Sequence, residues 1–154
     1  MFYNKKNPAF MRILAFRKCL IEESKRKERI RKYGELLGMT DSLGELIGSY
    51  SHGMRQKVAL MGAFLHEPKL LVLDEPFVGL DPEASFHLKE MLKELCQRGS
   101  AVFFSTHVLE VAEKLCSKVA IIKNGTLIAS GTMEEVKGNA SLEEVFLEVV
   151  DHEK

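Results

Sequence analysis

Net charge, a disulfide pattern and any long hydrophobic run are all missing from this 154-residue sequence. Lys plus Arg and Asp plus Glu each total 22, so there is no global basic field of the kind that marks a nucleic-acid binder, and only a local patch could serve one. Cys19, Cys96 and Cys116 are odd in number and lack C-x-x-C or zinc-like spacing. They fit reduced thiols in a cytosolic protein, each a small core residue, better than a disulfide framework. No apolar run reaches the length of a membrane span. At the start, Arg12 and Arg17 interrupt Ile13-Leu14-Ala15-Phe16, which makes a poor signal peptide. Any membrane association is therefore expected to go through a partner. The length suits one domain with a real core, and 45% apolar and 29% charged residues are those of a soluble globular protein.

What is present is organised around Lys69 to Pro82, KLLVLDEPFVGLDP. Leu70 to Leu73 form an unbroken apolar run, too short for a helix core and typical of a parallel strand buried on both faces. Asp74 and Glu75 follow at its carboxyl end, where open α/β sheets bind ligands, and their desolvation must be offset by a metal or a proton. An ordinary strand-to-loop transition also places acids there. Gly79-Leu80-Asp81-Pro82 then supplies a tight turn and a proline at the first position of a helix.

Upstream, Met1 to Pro8 offers little besides Asn and Lys and is expected to be loose, and the apolar residues from Phe10 to Leu20 have no clean period. Ile21 to Leu37 reads as a helix with Ile30, Tyr33, Leu36 and Leu37 on one face, closed by Gly38. Its basic run, Lys25 to Lys32, could contact nucleic acid or lipid headgroups. The neutral chain and the lack of interleaved aromatics favour a solvated helix face. Thr40 or Asp41 can cap a short helix through Leu43 and Leu46, ended by Gly48. Next, Ser51 precedes a helix with Met54, Val58, Met61 and Leu65 at helical spacing, stopped by Pro68. A hydroxyl, unbonded backbone N–H groups and the helix dipole there favour an anion, although a plain N-cap uses the same residue.

Downstream, Asp81 and Pro82 start a helix with Leu88, Met91, Leu92 and Leu95 inward, closed by Gly99. Ala101 to Phe104 is the next buried strand, and Val108, Val111, Ala112 and Leu115 mark another amphipathic helix. This βαβα alternation predicts an α/β fold with a parallel sheet. Between that strand and helix lies His107; a histidine at a strand end is structural or functional, and this one follows the second buried strand. His66, His87 and His152 match no motif, and no pair has metal-ligand spacing. Lys118 to Ile122 and Thr126 to Ser130 read as strands of a hairpin through Asn124-Gly125. Thr132 with Glu135, and Ser141 with Glu144, are capping boxes for two closing helices, the second with Leu142, Val145, Phe146 and Val149 on one face.

An apolar strand, Asp-Glu-Pro and then Gly-Leu-Asp-Pro resembles the Walker B and D-loop of the ATP-binding-cassette (ABC) ATPases. Tyr50-Ser51-His52-Gly53-Met54 resembles their signature loop, usually Leu-Ser-Gly-Gly-Gln, keeping Ser51 and Gly53. His107 matches the switch histidine, and Ser-Leu-Glu-Glu-Val-Phe-Leu near the end resembles the tail of exporter-type subunits. The motifs occur in the family's order over about Lys25 to Val150. The resemblance implies a RecA-like P-loop NTPase fold, here partial: 1–24 unassigned, 25–66 a partial helical subdomain with the signature loop, and 67–154 the second half of the catalytic core. It implies ATP and Mg²⁺ as cofactors. Asp74 would hold Mg²⁺ through water, Glu75 would be general base to the attacking water, and His107 would touch the γ-phosphate. Asp81 would communicate across a dimer, and Ser51 and Gly53 would contact nucleotide held by the opposite subunit. The implied partners are a second ABC ATPase subunit, identical or different, and a transmembrane permease that holds the chain at the inner face of the cell membrane. No nucleic acid is expected.

The G-x-x-x-x-G-K-[ST] loop whose amides and lysine hold the phosphates does not occur in the sequence. The family's adenine-stacking segment and Gln-loop have no counterpart either. The resemblance thus implies a chain truncated at its N-terminus and inactive alone, or a non-catalytic module lending its signature loop to a complete partner. In the family's sheet the Phe103 strand lies beside the Walker A strand, so a bare strand edge, apolar surface and self-association are expected of the isolated chain. A DNA-repair or chromosome-structure ATPase shares these motifs, but would be expected to carry coiled-coil heptads or zinc-binding cysteines between them, and none is visible.

Overall fold

Residues 21–151 are described by a computed structural model; the expectations for Met1 to Leu20 and for the side chain of Val149 lie outside the described residues. The elements run α1 (Glu23–Leu36), α2 (His52–Phe64), β1 (Leu70–Asp74), α3 (Pro82–Gln97), β2 (Ala101–Ser105), α4 (Leu109–Leu115), β3 (Lys118–Lys123), β4 (Thr126–Thr132), α5 (Met133–Lys137) and α6 (Leu142–Asp151). They fall into two compact units divided inside β2, whose described parts are 21–103 and 104–151.

In the first unit β1 pairs with β2 in a parallel sheet, and the Ala101 N–H donates to the Lys69 carbonyl at 2.8 Å. Helical periodicity places Tyr33 and Leu37 of the α1 region, Leu60, Met61 and Phe64 of α2, and Leu88, Met91, Leu92 and Leu95 of α3 in one apolar cluster with Leu71. The expected inward face of α3 is therefore met residue for residue. The strand is not buried on both faces, however. Its side chains alternate, so Leu71 is buried while Leu70 and Val72 are 60% and 62% exposed, and Phe103 on β2 is 61% exposed. An apolar run fixes the strand but not how many of its faces are covered.

Between α1 and α2 the expected helix gives way to two 3₁₀ turns, Thr40–Ser42 and Ile47–Ser49, with Leu46 83% exposed. Gly44 and Gly48 make a continuous helix costly there, at roughly 1 kcal/mol each relative to alanine. Cys96 also departs from the core reading, since it follows the buried Leu95 onto the exposed side of α3.

The second unit begins its hairpin as its local chemistry dictates. Asn124 and Gly125 both take positive φ, 50° and 79°, matching a type I′ turn. β3 and β4 pair antiparallel from Lys118↔Thr132 to Lys123↔Thr126, with a bulge between Ile121 and Ile122. Thr132 and Glu135 form a full capping box for α5. Ser141 and Glu144 bond reciprocally at the start of α6, with the Ser141 N–H donating to Glu144 at 2.7 Å and the Glu144 N–H to the Ser141 hydroxyl at 3.2 Å. Ala112, Ile121 and Leu142 are the buried residues of its apolar cluster, and half-buried Cys116 packs against them.

Candidate active site

Ser51 is the N-cap of α2, and its hydroxyl oxygen accepts the Met54 N–H at 3.2 Å. That bond uses the oxygen as acceptor, and the exposed hydroxyl keeps its own O–H to donate. The three departures from the usual signature loop each have a physical place. Tyr50 is buried, and its hydroxyl donates to the Ser42 carbonyl at 2.6 Å, so a polar ring tip is accommodated where the family has leucine. His52 lies against Gly79, its Cδ2 3.0 Å from where a Cβ on that glycine would stand. Half-buried Met54 packs against the apolar cluster.

β1 ends at Asp74, which is exposed, and the chain turns at Glu75, whose φ is 45°. Glutamate in this left-handed region is strained by about 1 kcal/mol or more relative to glycine, and such strain concentrates where a side chain must be aimed. Pro76 is fully buried beneath the turn. Two successive turns carry the loop onward, with the Val78 N–H on the Glu75 carbonyl at 3.2 Å and the Leu80 N–H on the Phe77 carbonyl at 3.3 Å. Gly79 takes φ 77° within the second.

Asp81 then caps α3: one carboxylate oxygen accepts the Ala84 N–H at 2.8 Å and the other pairs with the Lys57 ammonium at 2.5 Å. The Ala84 N–H first, and Lys57 next, hold its carboxyl below the usual range. α2 and this loop are in direct contact. A Cβ on Gly53 would stand 2.6 Å from the Gly79 carbonyl oxygen, and Gln56 Nε2 donates to the Pro76 carbonyl at 3.3 Å. Ser51, Gly53, Asp74, Glu75 and Asp81 therefore belong to one unit, with the signature helix seated on the loop that follows the two carboxylates. His107, exposed in the β2–α4 connection, belongs to the second.

Lys57 and Gln56 are the contacts to this loop that the sequence reading did not single out. Lys57 and Asp81 are distant in the chain, so no local pattern announces them. Five of the six basic side chains from Lys25 to Lys32 are ion-paired. Arg26 and Lys27 pair with Glu23, Arg29 with Glu67, Arg31 with Glu35, and Lys32 with Glu94. Among the described residues no helix is long and apolar enough to cross a membrane. No group of three or more His, Cys, Asp or Glu among them could cage a metal ion.

Comparison with known proteins follows the same lines. A family model described as "AAA domain, putative AbiEii toxin, Type IV TA system" matches residues 18–113. The ABC transporter ATP-binding protein YxlF of Bacillus subtilis, itself uncharacterized, is 45% identical over 116 residues, which are 74% of this chain and 39% of the relative. YthP of the same organism, described in the same words, is 38% identical over 123 residues, 80% of this chain and 52% of the relative. A solved ATP-binding subunit of an ABC transporter superposes with a TM-score of 0.83 at 30% identity, covering 97% of this chain and 65% of that one. The chain thus spans about half or less of these curated relatives. It belongs to the AAA-type family that the model describes, is similar over most of its length to ABC transporter ATP-binding proteins, and shares their P-loop NTPase fold over part of theirs.

Proposed function

We propose that this chain furnishes the signature and hydrolytic segments of an exporter-like ABC transport ATPase, and that these 154 residues turn over no ATP without a Walker A loop, which they do not contain. The observation that supports this reading is the seating of the Gly53 end of α2 on the Gly79–Asp81 loop, which holds the two motif-like segments against one another. Asp74 and Glu75 suit a Mg²⁺ that keeps several waters and is shared with substrate phosphates, because Mg²⁺ sites need only one or two carboxylates. When bound, the ion neutralises charge on the phosphate oxygens.

The chain's own residues take the following roles. Asp74 would hold the ion through water. Glu75, aimed by its left-handed backbone, accepts a proton from the attacking water. His107 contacts the γ-phosphate, and Asp81 carries contact across the dimer. Ser51 and Gly53, at the positive end of α2, bind nucleotide cradled by a second ABC ATPase subunit, of the same or another sequence. A transmembrane permease is the partner that would hold the chain at the inner face of the cell membrane; no nucleic acid takes part.

ATPase assays of the full chain alone, and mixed with a full-length ABC subunit carrying Walker A, test this. Turnover should be absent alone, rise on mixing, and fall back with Ser51→Arg. Turnover by the isolated chain, or no rise on mixing, would contradict the proposal.

A further inference from the structure

Resting on that reading, we infer that Lys57 is the positioning residue that locks the Pro76–Asp81 loop to the anion-binding end of α2. Four residues of α2 grip the loop, and their spacing, 52, 53, 56 and 57, places them along one side of the helix. His52 lies on Gly79, the Gly53 backbone meets the Gly79 carbonyl, Gln56 donates to the Pro76 carbonyl, and Lys57 closes the row on Asp81.

Among the described ion pairs the Lys57 side chain is the least exposed lysine, at 14% with its Asp81 partner at 49%, whereas Lys27 and Glu23 are 73% and 67% exposed. An exposed pair such as the latter contributes about 0–1 kcal/mol and fixes little. Both oxygens of Asp81 are engaged, one by Lys57 and one by the first turn of α3, so the ammonium is held by a carboxylate that cannot turn away without uncapping a helix. The ammonium also lies 3.9 Å from where a Cβ on Gly38 would stand, beside the C-terminal end of α1, where helix carbonyls favour a cation. Lys57 therefore ties together the end of α1, the body of α2 and the start of α3. Through them it sets where Ser51 and Gly53 stand relative to Asp81.

The test compares Lys57→Met, which keeps the apolar stem, with Lys57→Arg, and with Lys27→Met as the exposed control. The first readout is the amide spectrum and hydrogen exchange of the full chain without nucleotide. Lys57→Met should displace the Gly53, Gly79 and Ala84 amides and speed exchange at Ala84 by about tenfold. Lys57→Arg should restore them and Lys27→Met should leave them in place. If Lys57→Met does not fold, Asp81→Asn reads the same pair, since its side-chain carbonyl can still cap α3, and it should displace Gly53 and Gly79. The second readout is partner-stimulated ATPase, which should fall several-fold in Lys57→Met and return in Lys57→Arg. Amides that stay in place in Lys57→Met or Asp81→Asn, or that arginine fails to restore, overturn the inference. Displaced amides in a chain that never stimulates a partner sustain the lock and sink the functional reading instead.

Discussion

Thirteen buried residues form the apolar cluster of the first unit, against three in that of the second. The second unit is instead laced by carboxylates at helix ends. Glu135 completes the box at α5 and Glu144 caps α6. Glu113 on α4 accepts from both Lys137 and the Leu142 N–H, joining α4, α5 and α6. The carboxyls of Glu113, Glu135 and Glu144 are all held below the usual range, Glu113 chiefly by the Lys137 hydrogen bond and the other two by backbone N–H groups. One unit is held by burial, which is indifferent to pH, and the other leans on charge-assisted capping. The unit carrying the strained Glu75 is the one with apolar cover beneath it.

The largest test of that contrast is core truncation. Leu88→Ala, at a fully buried position in the larger cluster, should cost about 3–5 kcal/mol, and Leu142→Ala in the smaller one about 2–3 kcal/mol. Hydrogen exchange should show each loss in its own unit. Equal loss of protection in both units from either change would dissolve the distinction. Next in size is Gly53→Ala. The added methyl meets backbone, the Gly79 carbonyl oxygen at 2.6 Å, so about 1–3 kcal/mol of overpacking is expected, with displaced Gly79 and Leu80 amides.

Acid separates the units by chemistry. A carboxyl whose folded pKa is lowered adds stability that is fully present above its unfolded pKa and is lost as pH falls through the folded value. Between about pH 5 and pH 3 the second unit should therefore lose exchange protection before the first, and Glu113→Gln should remove part of that dependence. Asp81 adds one such term to the first unit, so its dependence should be weaker, not absent. The smallest effect belongs to Glu75. Glu75→Gly should raise stability by about 0.5–1 kcal/mol by relieving the positive φ.

How much was legible followed the range of each interaction. The Asp81 cap, the Thr132–Glu135 box and the Asn124-Gly125 turn each depend on residues a few positions apart, and all are found. The α3 face was legible because its period is local as well. The second face of β1 was not, since Leu70 and Val72 read identically whether or not other chain covers them. The Lys57–Asp81 pair links two elements across β1 and has no sequence signature. The left-handed backbone at Glu75 contradicts local propensity, so nothing in the sequence announced it. For the site, Gly53 packs on the Gly79 carbonyl and Asp81 pairs with Lys57 of the same helix, but the roles of Ser51, Gly53, Asp74, Glu75, Asp81 and His107 all rest on motif resemblance and await the assay.

The most direct measurement uses a partner that cannot complete its own site. A full-length ABC subunit chosen to carry Walker A, with its signature serine replaced by arginine, keeps the phosphate cradle but has no loop to offer. Adding this chain should restore ATP turnover, and adding its Ser51→Arg form should not. Turnover that stays flat with the unaltered chain, or that returns equally with Ser51→Arg, would contradict the claim that Ser51 and Gly53 serve a nucleotide held by another subunit.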